Sequence, residues 1–223
     1  MASNLPDDTQ RLSIIGATGS GKTQAGLWHL SERNFNSKPW VVYDFKHESL
    51  IAEIEEMAFT SSLESPPPDR PGIYVVHALP DEEDAISEHM RRIWEHTDIG
   101  VYVDEGYMVG NNNKGFRLLL TQGRSLHIPI IVLSQRPVWM DRFVFTESEF
   151  IQVFRLNSIQ DVKKVGEYVP GYEAALAKHP LKKYHSYYYN GPENRLMRLG
   201  PVPDREAILD KFHSKLRGLK KVV

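Results

Sequence analysis

The chain has 223 residues, of which 41% are hydrophobic, so its length and composition suit one or two domains with a substantial core. It contains no cysteine, which excludes disulfide bonds and thiolate metal sites, and its formal net charge is only −2. The N-terminus is polar and acidic, unlike a secretory signal, and no apolar run approaches the ~20 residues that cross a bilayer. We therefore expect no intrinsic membrane span.

The first motif along the chain is a complete phosphate-binding loop, or P-loop. Residues 16–23 read Gly-Ala-Thr-Gly-Ser-Gly-Lys-Thr and match the pattern G-x-x-x-x-G-K-[ST]. The apolar run 11–15 predicts a strand before the loop, and 23–32 predicts a helix after it, so bound phosphate would lie at a helix N-terminus. A chance match in a glycine-rich turn would lack this strand and helix.

Each part of the P-loop has an expected role. Inward-turned backbone N–H groups cradle phosphate oxygens, Lys22 reaches the β- and γ-phosphates, and the Thr23 hydroxyl coordinates Mg²⁺. We therefore predict that the protein uses ATP and Mg²⁺. The candidate nucleotide-binding residues are Gly16, Ala17, Thr18, Gly19, Ser20, Gly21, Lys22, Thr23 and Gln24.

Strand and helix patterns then alternate as far as about residue 155, which is typical of a mostly parallel sheet flanked by helices. Further strands are predicted at 39–44, 72–77, 99–103, 129–133 and 150–154, helices at 48–57, 81–96 and 116–126, and loops at 61–71 and 110–114. The strand at 129–133 is almost entirely apolar, which favours a central place in the sheet.

Two acidic residues follow the strand at 99–103. Asp104 is placed to hold Mg²⁺ opposite Thr23, and Glu105 is placed to polarise the water that attacks ATP. A strand that merely ends in solvent-facing acids is the weaker interpretation, because the P-loop lies upstream. An Asp-Glu pair here is typical of P-loop ATPases with the catalytic glutamate on this strand, so we predict an α/β P-loop NTPase of the ASCE or RecA-like class.

Two further residues are candidates for the catalytic site. Gln135 follows the strand at 129–133 and is a candidate sensor of the γ-phosphate, although it could be an ordinary exposed residue at a strand end. Arg124 precedes that strand and is a candidate arginine finger that reaches the ATP of a neighbouring subunit. Arg117 and Arg136 are competitors for that role, and a surface salt bridge is the alternative for Arg124.

The pattern changes after residue 155. Helices are predicted at 159–168, 173–178 and 204–219, and the strands 184–189 and 194–199 flank Asn190-Gly191, a hairpin signal. We divide the chain into a P-loop ATPase core at 1–175 and a basic C-terminal hairpin and helix at 176–223. The tyrosines at 184 and 187–189 are interpreted as strand and core residues rather than as a platform for stacking bases.

Charge differs between the two ends of the chain. Residues 1–173 carry 16 basic and 25 acidic side chains, a balance of −9, whereas 174–223 carry 11 basic and 4 acidic side chains, a balance of +7. A basic end on an acidic body is either a footprint for a polyanion such as nucleic acid or a solvated charged helix.

Several segments together resemble the FtsK–HerA superfamily of DNA-pumping ATPases. They are the P-loop, Val101-Tyr-Val-Asp-Glu105, Val41-Val-Tyr-Asp-Phe-Lys46, Gly123-Arg124 leading to Leu133-Ser-Gln-Arg-Pro137, and Phe154-Arg-Leu-Asn157. The resemblance covers about residues 11–175. A bare ATPase core of this size is similar to the genome-packaging ATPases of viruses, including tailless phages with an internal membrane and some short-tailed phages.

The resemblance implies a homo-oligomeric ring, a pentamer or hexamer, with ATP sites between neighbours and double-stranded DNA in a central channel. It also implies a capsid vertex or portal component as partner, and a location in the host cytoplasm or at the packaging vertex of the virion. Contacts to DNA phosphates are expected because a packaging motor must accept any sequence. The candidates are Lys114, Lys182 and Lys183. The tail residues Lys211, Lys215, Arg217, Lys220 and Lys221 are further candidates, with binding to a capsid or a neighbouring subunit as the alternative.

Three alternatives remain at this stage. A DNA-transfer or filamentous-phage assembly ATPase would act on single-stranded DNA, and the phage type would usually bring a membrane span. A nucleotide kinase would need an arginine-rich lid, which we do not find in the sequence. A regulatory module would bind ATP without turnover, so its function would not need Glu105.

Overall fold

The computed structural model describes residues 5–110 and 112–219. Within these ranges a single nine-stranded sheet forms the centre of the molecule. Its strands are β1 Arg11–Ile15, β2 Pro39–Asp44, β3 Phe59–Ser61, β4 Gly72–His77, β5 Gly100–Asp104, β6 Ile130–Ser134, β7 Phe150–Val153, β8 Ser186–Asn190 and β9 Arg195–Leu199. The helices are α1 Lys22–Ser31, α2 Ser49–Glu55, α3 Glu83–His96, α4 Lys114–Gln122, α5 Arg142–Thr146, α6 Ile159–Gly166, α7 Tyr172–Lys178 and α8 Arg205–Leu216.

The spatial order of the strands is β3-β4-β2-β5-β6-β1-β7-β8-β9. Strands β1 to β7 are parallel, and β8 and β9 add an antiparallel hairpin to the same sheet. The P-loop strand β1 and the Asp-Glu strand β5 lie on either side of β6, which confirms the predicted fold class and the central place of the apolar strand.

Alternating side chains of the sheet build a core on each face. On β5, for example, Val101 and Val103 pack on one face and Tyr102 packs on the other, as the period of two requires. Helices α3 to α7 cover the first face, and helices α1, α2 and α8 cover the second. None of the helices in the described ranges is both long and apolar enough to cross a membrane.

Four local differences from the sequence predictions have simple causes. The short strand β3 was not predicted, because a three-residue strand has too little length to show a period. The helix α5 was not predicted, since it is only five residues long. The hairpin turn covers residues 191–194 instead of an Asn-Gly pair, because Asn190 still pairs with Arg195 and its side chain accepts a hydrogen bond from the Glu193 N–H. Helix α8 ends at Leu216, not at residue 219.

Both edges of the sheet are poorly suited to pairing with another strand. One edge is β3, which has three residues. The other edge is β9, whose Arg195 and Arg198 are exposed. Short strands and charged side chains are features that discourage edge-to-edge association.

A buried polar chain joins the C-terminal hairpin to the P-loop helix. The Gln152 side chain on β7 donates to Ser186 Oγ on β8 at 2.9 Å. Its Oε1 lies 2.9 Å from His29 Nε2 on α1, so His29 donates there as a neutral imidazole. Burial lowers the pKa of His29 to about 3, and the nearby charge of Arg33 acts in the same direction.

This network predicts a loss of stability in acid. Because the folded pKa of His29 lies below the unfolded value, its contribution is present above pH 6.5 and falls as the pH drops towards 3. Between pH 7 and pH 5 that contribution should fall by about 2 kcal/mol in free energy of unfolding. Urea unfolding at both pH values should show this fall in the wild type and a smaller fall in His29→Gln. The control His213→Gln, at an exposed site, should show the same pH dependence as the wild type. If His29→Gln and His213→Gln had the same pH dependence, His29 would not be the cause of the loss of stability in acid.

Candidate nucleotide-binding site

The candidate site lies where the carboxyl ends of β1, β5 and β6 meet. The P-loop follows β1, Glu105 follows β5 and Gln135 follows β6, so parallel strands deliver all three to one edge of the sheet. A cleft of about 350 Å³ opens there, and the residues that line it include Thr18, Gly19, Gly21, Lys22, Thr23, Gln24, Lys46, Asp104, Glu105, Gln135 and Tyr184. The structure therefore brings together most of the predicted site residues.

The P-loop is fixed to the neighbouring strands at its start. The Gly16 N–H donates to Ser134 O of β6, and the Ala17 N–H donates to Arg155 O beyond β7, both at 3.0 Å. Gly21 has φ of 98°, which favours glycine, and it forms the N-cap of α1 without a side-chain cap among the described residues. The first N–H groups of α1 belong to residues that line the cleft and have no acceptor within the helix, so a phosphate there would accept their hydrogen bonds.

Glu105 is held by two lysines. Its side chain is 1% exposed, and Oε1 lies 2.9 Å from Lys22 Nζ and 2.7 Å from Lys46 Nζ. Its Oε2 accepts a hydrogen bond from the Gln135 backbone N–H at 3.1 Å. Glu105 itself has a left-handed backbone with φ of 63°, an uncommon conformation that recurs at functional sites.

Lys46 reaches this carboxylate because Asp44 shapes the turn that carries it. The Asp44 side chain accepts hydrogen bonds from the backbone N–H groups of Lys46 at 3.0 Å and Glu48 at 3.1 Å. Asp44 also pairs in register with Asp104 on the adjacent strand β5. The Asp-Phe-Lys segment therefore contributes a second cation to the site.

Asp104 is a buried carboxylate that fits a divalent cation. Burial raises its pKa to about 7, Glu105 adds to the rise and the ammonium of Lys22 opposes it. Its Oδ1 has no hydrogen-bond partner among the described residues. Together with the Thr23 hydroxyl it offers oxygen donors to one cleft, which suits Mg²⁺, an ion that keeps several of its waters.

Gln135 connects the P-loop with a residue beyond β5. Its Oε1 accepts a hydrogen bond from Thr18 Oγ1 at 2.5 Å, and its Nε2 donates to Tyr107 Oη at 3.2 Å. The Tyr107 ring contacts the exposed Trp139 edge-on, with 5.7 Å between ring centroids. The Gln135 amide can therefore respond to a ligand at the phosphate end of the cleft by changing its hydrogen bonds.

Comparison with the sequence of a known protein identifies the family to which this chain belongs. No family model matches the chain. The chain is 43% identical to DNA packaging ATPase P9 of Enterobacteria phage PRD1 over 226 aligned positions, covering 95% of this chain and 96% of that protein. This chain belongs to that family of viral packaging P-loop ATPases.

Solved structures agree with the family at the level of the fold. The genome packaging NTPase B204 from Sulfolobus turreted icosahedral virus 2, in complex with ATP-gammaS, superimposes with a TM-score of 0.72 at 16% identity. The match covers 89% of this chain and 100% of B204. The cytoplasmic domain of the Thermomonospora curvata type VII secretion ATPase EccC gives a TM-score of 0.59 at 17% identity, covering 93% of this chain and 28% of EccC.

Arg124 is the one predicted catalytic residue that the structure does not bring to the cleft. It follows α4 at the amino end of β6, whereas the P-loop lies at the carboxyl end of the neighbouring strand. Its side chain is 61% exposed, and Nη1 lies 3.4 Å from Glu149 Oε1. Of its competitors, Arg117 pairs with Asp141 at 2.6 Å, and Arg136 lies 4.2 Å from the Trp139 ring centroid, close to Gln135.

Some predicted DNA contacts have other partners. Lys211 forms an ion pair with Glu32, and Lys215 donates to the carbonyls of Ser31 and Arg33 at the end of α1. These two cations therefore have partners within the chain, and their predicted contacts to DNA stay predictions. Four candidates are exposed: Lys114, Lys182, Lys183 and Arg217. Lys220 and Lys221 lie outside the described residues.

The tyrosines divide into two groups. Tyr187 and Tyr188 are buried in the core, as predicted. Tyr184 is 45% exposed, precedes β8 and lines the nucleotide cleft, so its prediction as a strand and core residue was wrong. Sequence reasoning could not find it, because only the fold brings residue 184 to the P-loop. The prediction from the sequence also assigned no role to Tyr107, and it named Lys46 only as part of the family resemblance.

Loss of the Lys46 ammonium should impair catalysis more than binding. Lys46→Ala leaves Glu105 without one of its two cations and allows the carboxylate to leave the cleft wall, so we expect kcat for ATP to fall roughly tenfold to a hundredfold with a nearly unchanged KM. Steady-state ATPase assays would measure this, with the exposed Lys178→Ala as control. A large rise in KM without a fall in kcat would contradict a role in placing Glu105.

Proposed function

We propose that this chain is an ATP-hydrolysing motor that moves double-stranded DNA and packages a viral genome into a preformed capsid. The observation that carries the proposal is the buried Glu105 carboxylate 2.9 Å from the P-loop lysine, in a chain 43% identical to a phage DNA packaging ATPase. A module that only binds nucleotide has no need of a glutamate in this position, so the geometry favours hydrolysis over a purely regulatory role.

The proposed reaction converts ATP to ADP and phosphate. Water attacks the γ-phosphorus while the bond to the bridging oxygen breaks, and Glu105 orients that water. Lys22 and the N–H groups at the start of α1 bind the β- and γ-phosphate oxygens. When bound, Mg²⁺ supplies positive charge that offsets these oxygens, and Thr23 and Asp104 are the residues that would hold it.

Gln135 is proposed as the γ-phosphate sensor. Its amide already bonds Thr18 in the P-loop and Tyr107 beyond β5, so a phosphate that competes for the amide changes both contacts. A ligand shifts a conformational equilibrium only if it binds the two conformations with different affinities. A phosphate that competes for this amide would favour the conformation in which the amide is free of its present partners. Tyr107 and Trp139 would carry the change towards the surface.

The proposed assembly is a homo-oligomeric ring, a pentamer or hexamer, that docks on a capsid vertex or portal component. Arg124 is exposed and remote from the cleft of its own chain, which suits a residue that acts on a neighbour. The exposed Lys114, Lys182, Lys183 and Arg217 are the proposed contacts to DNA phosphates. The proposed location is the host cytoplasm or the packaging vertex of the virion.

Duplex DNA should stimulate the ATPase, and Glu105 should be required for turnover. We expect a severalfold higher rate with duplex DNA than with single-stranded DNA or none, from an oligomer whose mass is measured in the same samples. Glu105→Gln should bind ATP and hydrolyse it at least about a hundredfold more slowly, because the group that polarises water is lost. The exposed-site control Glu193→Gln should be unaffected. A monomer whose rate ignores DNA would contradict the motor proposal.

Mixing two inactive variants tests whether Arg124 acts in trans. Arg124→Ala subunits keep an intact cleft, and Glu105→Gln subunits keep an intact arginine, so a mixed ring contains interfaces with both. We expect ATPase activity to appear on mixing, because a trans arginine can contribute about 10³- to 10⁵-fold in rate. Absence of any rescue would transfer the role to Arg117 or Arg136, whose alanine variants would be mixed in the same way.

A further inference from the structure

Tyr184 forms one wall of the nucleotide cleft, although it belongs to the C-terminal part of the chain. A Cβ atom placed on Gly21 would lie 3.1 Å from Tyr184 Cδ1, so the ring packs directly on the P-loop at the start of α1. The same cleft is lined by Lys22, Thr23 and Gln24. The ring is thus in contact with the segment that binds phosphate.

The backbone of Tyr184 is held in a conformation that a large side chain rarely adopts. Its φ is 63°, and it occupies the third position of a turn closed by the His185 N–H donating to Lys182 O at 3.1 Å. Glycine or asparagine is favoured in that position. A tyrosine there costs conformational free energy, which indicates that the position of its ring serves a purpose beyond the turn.

One face of the ring is already covered. Lys183 Nζ lies 4.8 Å from the ring centroid and, together with Tyr184 and Arg155, borders a separate hollow of about 170 Å³ next to Gly19. Lys183 does not line the nucleotide cleft, so the ring separates the hollow from the cleft. Tyr184 lines the nucleotide cleft and is 45% exposed, so a ligand in the cleft can reach the ring.

We propose that Tyr184 is the platform on which the purine base of ATP stacks. Lys22 and Glu105 direct the terminal phosphates to the P-loop, and the exposed ring of Tyr184 lies beside Gly21 in the same cleft, where the base of a bound nucleotide can stack on it. Aromatic side chains stack on bases through the π-face that every base has. The C-terminal segment would thereby take part in ATP binding, and this inference rests on the proposed ATP site.

A comparison of ATP binding with binding of inorganic tripolyphosphate, both in the presence of Mg²⁺, separates the contribution of the base from that of the phosphates. Tyr184→Ala should weaken ATP binding about tenfold and leave tripolyphosphate binding unchanged. Tyr184→Phe should bind ATP like the wild type. Tyr184→Gly removes the ring and also relieves the backbone, so it should match Tyr184→Ala in ATP affinity with no loss of thermal stability. Tyr189→Ala, on strand β8 and outside the cleft lining, is the control.

Three outcomes would overturn the inference. They are unchanged ATP affinity in Tyr184→Ala and Tyr184→Gly, an equal loss of ATP and tripolyphosphate binding, and a loss confined to stimulation by DNA, which would assign the ring to a nucleic-acid base. Lys22→Ala distinguishes this failure from that of the proposed function. If Lys22→Ala binds ATP like the wild type, the ATP site itself is wrong, whereas an ATP site that depends on Lys22 but not on Tyr184 refutes the platform alone.

Discussion

The buried carboxylate of Glu105 is the constraint on which the site depends. A charge that is 1% exposed is costly unless cations and hydrogen-bond donors surround it. Its partners Lys22, Lys46 and the Gln135 N–H come from segments that follow β1, β2 and β6. Because the three contacts must be satisfied together, the parallel strands have to end at one edge in a fixed register. The catalytic geometry and the sheet are therefore stabilised by the same interactions.

The C-terminal segment is built into this arrangement. Strand β8 pairs with β7, the Gln152 side chain links Ser186 to His29, and Lys215 binds the carbonyls at the end of α1. These contacts fix the hairpin and α8 against the helix that begins at the P-loop. The division of the chain at residue 175 stays a prediction, and the contacts across it explain how a residue as late as Tyr184 reaches the cleft.

Much of the fold was predictable from the sequence because its signals are local. The bounds of β2 and β4 follow from apolar runs between turn residues, and the P-loop pattern identifies the nucleotide edge without any long-range information. Lys46 and Tyr184 were harder to find, because their roles depend on which strands become neighbours. The partners of Lys211 and Lys215 within the chain were hidden for the same reason, since only the fold places these residues beside Glu32 and the end of α1.

The two edges of the sheet affect how copies of this chain can meet. Strand β3 at one edge has only three residues, and strand β9 at the other edge carries two exposed arginines. Neither edge therefore favours backbone pairing with another copy of the chain. Neighbouring copies of the chain would contact each other through loops and side chains, without forming a continuous sheet. If copies assemble as proposed, contacts of that kind leave the sheet of each unit independent of its neighbour's backbone.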